Sequence, residues 1–207
     1  LYLDGVQDNA STTTLLTPNI TAILVEPASG DLIQIYRNGS TLANSTSPAV
    51  NISLHVAGWY NITAVYLGNQ NYSGSRRTYY LNVSDATPPV INNHNATPDN
   101  TTYGQNITIF ANVTDNVAVR NVSASINGQN QSLNLLADDV FTYTFNTTDY
   151  AVGTYTYFIY ANDSEGNQAT PAQGNFTIRQ APTQLQLYIN GTQSNTSVNE
   201  NENVNIT

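Results

Sequence analysis

Cysteine and lysine are absent from this 207-residue sequence, and charged residues of any kind make up only 9% of it. Without cysteine there are no disulfides, no thiol nucleophile and no cysteine-bound zinc. Five arginines face fourteen acidic residues, which gives a net charge of −9. The sequence offers no basic patch to neutralise phosphates, so we expect no nucleic-acid partner. With so few charges, amides, hydroxyls or attached sugars must keep the surface soluble.

Long apolar runs are missing as well. No stretch approaches the roughly 20 apolar residues of a membrane-spanning helix, and the opening LYLDG does not resemble a signal peptide. We therefore expect no membrane span in this segment. If the protein is exported, its signal lies outside these residues.

Asparagine, in contrast, is abundant. It occurs thirty times, and twenty of these residues begin an N-x-[ST] glycosylation sequon, where about six would arise by chance. The candidate glycosylation sites are Asn9, Asn19, Asn38, Asn44, Asn51, Asn61, Asn71, Asn82, Asn95, Asn100, Asn106, Asn112, Asn121, Asn130, Asn146, Asn162, Asn175, Asn190, Asn195 and Asn205.

The position of the sequons within apolar patterns argues against accident. In residues 106–114, NITIFANVT, apolar residues alternate with the sequon residues, so one strand face is apolar and the other carries Asn106 and Asn112. The alternative is that an Asn/Thr-rich β-protein makes sequons by chance, because threonine favours strands. Nine sequons, however, have an apolar middle residue that turns asparagine outward. We interpret these outward faces as glycan acceptors, which implies export to a cell surface or beyond.

Short alternating runs separated by turn residues predict strands throughout, and no segment has a helical pattern. Eleven such runs extend from NITAILVE at residue 19 to NFTIR at residue 175. Asn38-Gly39 and Asn127-Gly128 are hairpin signals, and Asp138-Asp139 predicts another turn. The pattern predicts an all-β protein made of two-sheet sandwiches.

An internal repeat sets the domain organisation. Residues 187–207 align with residues 1–21 at an offset of 186, with nine identical positions. Proline-containing boundaries follow residue 84, at SDATPP, and residue 179, at QAPT. We predict one domain over 1–84, a second over 85–180, and the first strands of a next repeat over 181–207. The doubled Pro88-Pro89 favours an extended linker, so the domains should lie end to end.

Two sequence motifs resemble known surface proteins. AGWYNITAVYLGNQNYSGSRRTYYLNV is similar to the closing strands of bacterial and archaeal immunoglobulin-like tandem repeats, and DATPPVI with VTDN and NDSEGNQA resembles a second type of such repeat. In each unit a tyrosine follows a turn glycine, at Gly58-Trp59-Tyr60 and Gly153-Thr154-Tyr155, which resembles a tyrosine corner. The resemblance implies tandem immunoglobulin-like β-sandwiches arranged end to end on a cell surface.

Catalytic chemistry has little support. The two histidines, His55 and His94, are interpreted as surface or boundary residues rather than partners of a nucleophile, so we expect no enzyme activity.

The weak metal candidate is Asp115, Asp163 and Glu165, in TDN and NDSEGN, whose oxygens would suit Ca²⁺ at one end of a sandwich. The simpler interpretation is that these side chains cap turns. We expect no cofactor apart from N-linked glycans.

The aromatic residues raise a second possibility, a carbohydrate-binding surface. In residues 153–161, however, Tyr155, Tyr157 and Ile159 alternate onto one face, and core packing explains most of them. Phe110, Phe158 and Tyr160 fall on the opposite face and are better candidates for contact with a neighbouring chain.

Three functions remain open. The favoured one is a structural component of an extracellular filament or stalk, built from glycosylated repeats and expected in an archaeon. An adhesin or S-layer protein whose repeats space out a binding module is the second, and a carbohydrate-binding module of a secreted enzyme is the third.

The expected partners are neighbouring repeats or identical subunits, joined head to tail. Leu1 begins where an upstream unit would already have supplied APTQLQ, so we expect neither end of this sequence to be a finished domain edge. We expect Leu185 to Thr207 to complete a sandwich with residues outside this copy, from the continuing chain or by strand addition from a neighbour.

Overall fold

A computed structural model describes residues 1–27, 30–53 and 55–183. Within these ranges the chain is all-β, and its one helical element is a 3-10 turn at Thr147–Asp149. Four sheets form two immunoglobulin-like sandwiches in tandem, as the sequence predicts. The predicted pairing of Leu185 to Thr207 lies outside the described residues, as do Asn190, Asn195 and Asn205.

The first sandwich contains eight strands. They are β1 (Tyr2–Leu3), β2 (Ala10–Thr13), β3 (Asn19–Ala22), β4 (Leu32–Arg37), β5 (Ser40–Thr46), β6 (Ala49–Ile52), β7 (Gly58–Gly68) and β8 (Ser73–Ser84). One sheet has the order β1-β3-β6 and the other the order β2-β8-β7-β4-β5.

The second sandwich contains nine strands. They are β9 (Val90–Thr97), β10 (Asn100–Thr102), β11 (Asn106–Thr114), β12 (Val119–Ile126), β13 (Gln129–Ser132), β14 (Asn134–Ala137), β15 (Val140–Asn146), β16 (Gly153–Asp163) and β17 (Ala172–Arg179). Its sheets have the orders β14-β15-β11-β9 and β10-β17-β16-β12-β13.

Strand alternation follows the sequence closely. In β11 every second residue, Ile107, Ile109, Ala111 and Val113, is completely buried. The residues between them, Phe110 included, are exposed or half-buried. Asn38 and Asn127 adopt positive φ with the glycines that follow them, at the β4–β5 and β12–β13 turns. Asp138 and Asp139 do the same between β14 and β15. Each predicted turn is confirmed, because two successive positive φ values match the twist of a hairpin.

Both predicted tyrosine corners form. The Tyr60 hydroxyl donates to the Val56 carbonyl at 2.7 Å, and the Tyr155 hydroxyl donates to the Ala151 carbonyl at 2.9 Å. In each sandwich the bond returns four residues upstream and ties the start of a central strand to the loop before it. The two sandwiches therefore contain the same tyrosine-corner hydrogen bond at equivalent positions.

Each sandwich has its own core. The first is mainly aliphatic, around Ile35, Ile62 and Leu81. The second adds a group of packed aromatic rings, with Tyr155 and Phe176 stacked at a centroid distance of 5.3 Å.

Two features differ from sequence expectations. Strand β2 pairs with β8 in parallel, and β10 pairs with β17 in parallel. Each five-stranded sheet therefore has one parallel edge strand. His55, expected at the surface, is only 3% exposed. His94, expected in a linker, lies half-buried in β9.

Candidate functional site

Three loops meet where the first sandwich connects to the second. Asp85 follows the last residue of β8, Asp115 follows the end of β11, and Asp163 is the last residue of β16. One carboxylate oxygen from each lies within 4.8 Å of the others. Asp85 is 5% exposed and Asp163 is fully buried. Asp115 is half-buried, but its Oδ2 atom is shielded from water.

Asp85 is held from both sides of the connection. Its Oδ1 accepts hydrogen bonds from Thr14 Oγ1 of the first sandwich at 3.2 Å and from Asn116 Nδ2 of the second at 3.2 Å. The backbone N–H of Thr87 also donates to it, at 3.0 Å. Burial raises the pKa of Asp85, but these hydrogen bonds outweigh it and the net pKa is lowered. The group is therefore an ionised carboxylate.

Asp115 and Asp163 are positioned by their own loops. Asp115 Oδ1 accepts from the N–H groups of Val117 and Ala118, both at 2.9 Å. Asp163 accepts from the backbone N–H and the side-chain amide of Asn167, at 2.8 and 2.7 Å. The same amide donates to the Asp85 carbonyl at 3.2 Å. The predicted turn-capping bonds are present, and they hold the Asp115 and Asp163 carboxylates close to Asp85.

The electrostatics of this cluster are unbalanced. Asp85 Oδ2 and Asp115 Oδ2 are buried and have no hydrogen-bond partner. Among the described residues, the arginine whose side chain makes a hydrogen bond is Arg37, and its partner is His55 rather than one of these carboxylates. The three carboxylate oxygens lie within 4.8 Å of one another. In general, two like unit charges about 4 Å apart repel by on the order of 4 kcal/mol at the effective dielectric constant of a protein surface. A hard cation would relieve that repulsion and satisfy both free oxygens.

The structure thus brings together two of the three predicted ligands and replaces the third. Glu165 is exposed and lies outside the group. Asp85 was missed because SDATPP reads as a linker. The acidic residue at the start of that linker, directly after a strand, was the available signal.

The sequon asparagines are accessible throughout the described residues. Seventeen of the twenty are described, and none is buried. Exposed are Asn9, Asn19, Asn38, Asn44, Asn61, Asn71, Asn95, Asn100, Asn106, Asn121, Asn130, Asn146 and Asn175; half-buried are Asn51, Asn82, Asn112 and Asn162. Asparagines outside sequons, such as Asn92 and Asn134, are exposed as well, so exposure alone does not single out acceptors.

Hydrogen bonding separates the sequons into two groups. In some strand sequons the hydroxyl donates to the side-chain carbonyl oxygen of asparagine, as at Asn19 (2.7 Å) and Asn61 (2.8 Å). Nδ2 of these two asparagines makes no hydrogen bond to the described residues. Asn146 differs, because its Nδ2 donates to the Gly104 carbonyl and to Asn106 Oδ1, both at 2.9 Å. A sugar on Asn146 Nδ2 would compete with these bonds.

Neither histidine is placed for catalysis. His55 Nδ1 lies 2.9 Å from an Arg37 guanidinium nitrogen, and its ring packs on Tyr60. Burial, and then the charge of Arg37, lowers the pKa of His55. His94 Nδ1 lies 3.2 Å from the Tyr157 hydroxyl. Both rings support the packing of a strand.

None of the described helical structure has the length and apolar character needed to cross a membrane.

Comparisons with known proteins agree on the architecture. Residues 89–159 match the family model of a bacterial Ig domain. No curated protein matches the chain. An I-band fragment of titin is 13% identical over 83% of this chain and 63% of its own, with a TM-score of 0.55. The amphioxus IgVJ-C2 molecule is 16% identical over 77% of this chain and 96% of its own, with a TM-score of 0.51.

The low identities establish the fold alone: tandem immunoglobulin-like sandwiches. Domains of this kind are typically non-catalytic, and tandem bacterial Ig-like domains are typical of surface and secreted proteins. No catalytic domain is identified in the described part of the chain.

Proposed function

We propose that this chain is part of an extracellular filament or cell-surface stalk, built from densely N-glycosylated immunoglobulin-like repeats and without enzymatic activity. Domains over 1–84 and 85–180, followed by the start of a next repeat over 181–207, would form its repeating period. Units would join head to tail, a contact that propagates instead of closing. The scarcity of charge and the absence of lysine and cysteine suit a harsh extracellular setting, and we propose an archaeal source.

The observation that carries this proposal is the threefold excess of sequons over chance. The accessibility of all seventeen described sequon asparagines supports it. Sugars at this density would supply the solubility that 9% charged residues do not.

Mass spectrometry of glycopeptides from native material tests whether the sequons are glycosylated. We expect most of the twenty sequons to be modified, with Asn61 more fully occupied than Asn146 because of the competing hydrogen bonds. Occupancy of fewer than about one third of the sites would contradict the proposal. Electron microscopy of the same material distinguishes a filament from a stalk or an S-layer lattice.

An exposed tryptophan favours one rival function. Trp59 is 70% exposed on β7, lies two residues before Asn61, and pairs with Asn82 on β8. Tyr80, 49% exposed, pairs with Asn61 on the same face of the sheet. An exposed aromatic face of this kind is typical of a carbohydrate-binding surface. Under our proposal, the protein's own sugars at Asn61 and Asn82 cover Trp59 instead.

Affinity electrophoresis in soluble polysaccharides separates the two functions. Native, glycosylated chain should migrate unretarded, and the Trp59→Ala variant should behave identically. Retardation of the native chain that Trp59→Ala removes would favour the carbohydrate-binding module. The matched control is Tyr160→Ala, which removes an exposed tyrosine from β16 of the second sandwich and leaves this face intact.

A further inference from the structure

We propose that Asp85, Asp115 and Asp163 bind one Ca²⁺ ion that joins the two sandwiches into a stiff pair. This inference concerns the connection between the units, and it holds whether or not the chain belongs to a filament.

The geometry of the three carboxylates suits a single ion. Calcium binds oxygen at about 2.3–2.6 Å. An ion between two oxygens can therefore contact both when they are up to about 5 Å apart, and all three ligand oxygens lie within 4.8 Å of one another. The observation that goes beyond an acidic cluster is Asp85, which is 5% exposed and has a buried Oδ2 without a partner.

The donor set indicates calcium more than other metals. All candidate ligands are carboxylate oxygens, and the sequence has no cysteine. The two histidines contact Arg37 and Tyr157 instead. Zinc and copper favour nitrogen or sulfur ligands. Magnesium demands a near-ideal octahedron at 2.0–2.1 Å and keeps several waters, which a shielded site with preset oxygens provides poorly.

The ion would couple the two units because its ligands come from both sides of the connection. Asp85 is anchored to the first sandwich through Thr14, whose backbone N–H also donates to the Ser84 carbonyl at 3.0 Å. Asp115 and Asp163 belong to the second sandwich. Filling the site therefore fixes the segment 85–89, which connects β8 to β9.

The second boundary in the sequence differs. Where Asp85 follows β8, Gln180 follows β17, and QAPT contains no acidic residue. In a chain that repeats this period, the acidic residue that Asp85 supplies would therefore occur at one joint in two.

Isothermal titration of the 207-residue chain with CaCl₂ tests binding. We expect one ion per chain, with a Kd at or below the millimolar range typical of extracellular modules, and clearly weaker binding of MgCl₂. Asp115→Asn, the least buried ligand, should weaken calcium binding about tenfold or more, as should Asp85→Asn. The matched control, Glu165→Gln, should change affinity less than about twofold. Circular dichroism of each variant without calcium checks that it folds.

Three results would overturn the proposal. They are no binding heat up to about 10 mM calcium, equal loss in Glu165→Gln, or unchanged binding in Asp85→Asn, which would confine the ion to the second sandwich.

The joint itself is measured with paired spin labels. Because the chain has no cysteine, Thr41→Cys with Gln129→Cys places one label on an exposed residue of each sandwich without background. Calcium should narrow the distance distribution in this pair and leave it unchanged when Asp85→Asn is added. A distribution that calcium does not alter would exclude the coupling even if an ion binds.

Discussion

The two sandwiches share a topology but fill it differently. Their central strands contain an equivalent pair of positions: Ile62 opposite Tyr79 in the first, and Tyr157 opposite Gly174 in the second. In the first, the aromatic ring comes from β8; in the second, it comes from β16 and occupies the space above a glycine, where a Cβ would collide with it. Tyr79 packs half-buried against the first core and Tyr157 is buried in the second, so the aromatic ring of the pair comes from a different strand in each sandwich. The fold thus constrains the total volume between its sheets more than the residue at any one position.

The sandwiches also differ in the sheet that contains the first strand. In the first, β1 has two residues and pairs over two positions with β3. In the second, β9 has eight residues and pairs along most of β11, and β14 covers the opposite edge. Together with its aromatic core, this predicts that the second sandwich is the more stable of the two.

The largest effects should come from the core residues that pair with the corner tyrosines. Leu81 pairs with Tyr60, and Phe176 pairs with Tyr155. Phe176→Ala should destabilise the second sandwich by about 3–5 kcal/mol, and Leu81→Ala the first by about 2–5 kcal/mol, through lost contacts and cavities. Hydrogen exchange of β7 and β16 reports each sandwich separately. Loss of protection in both strands from either variant would contradict independent cores.

The next largest loss of stability should come from changes to the Tyr157–Gly174 pair of the second sandwich. Gly174→Ala should cost about 1–3 kcal/mol, because the ring of Tyr157 must move. The double variant Tyr157→Ile with Gly174→Tyr, which copies the pair of the first sandwich, should lose less stability than the sum of its single variants. Urea denaturation measures each, with the exposed Gln173→Ala as control. Strict additivity would show that the two positions do not share one volume.

The tyrosine corners should give smaller, equal effects. Tyr60→Phe and Tyr155→Phe each remove one hydroxyl hydrogen bond and keep the ring, so each should cost about 1 kcal/mol. Differential scanning calorimetry of the two variants, beside the parent chain, checks the comparison. If only one of the two substitutions lowers stability, the two tyrosine corners do not contribute equally to the stability of their sandwiches.

The smallest effect concerns pH and arises from His55 in the first sandwich. The folded pKa of His55 is lowered, so between that pKa and the ordinary histidine value near 6.5 the unfolded chain binds more protons. Stability that is complete above about pH 6.5 should fall as the solution is acidified through this window. His55→Gln should remove that part of the loss between pH 7 and pH 5, measured as a urea midpoint at each pH. His94→Gln is the matched variant in the second sandwich, and an unchanged pH dependence in His55→Gln would contradict the assignment.

Local patterns explain how much of the fold the sequence reveals. The alternation of β11, the turns at Asn38 and Asn127, and the two corner tyrosines are each encoded within a few residues. Backbone sterics and the two-residue period of a strand act over the same range. These features, and with them the all-β sandwich architecture, are readable from the sequence and are confirmed.

Features that depend on residues far apart in the chain were decided by the tertiary structure. The parallel pairing of β2 with β8 joins residues about seventy positions apart, as the Ala10–Leu81 pair shows. The burial of His55 depends on Arg37 and Tyr60 closing around it. Asp85 becomes part of an acidic cluster because Asp115 and Asp163 converge on it from two other loops. The sequence determined which residue types were available and which strand face each occupies; chain packing alone determined which carboxylates meet, since convergence of distant loops leaves no periodic signal in any one of them.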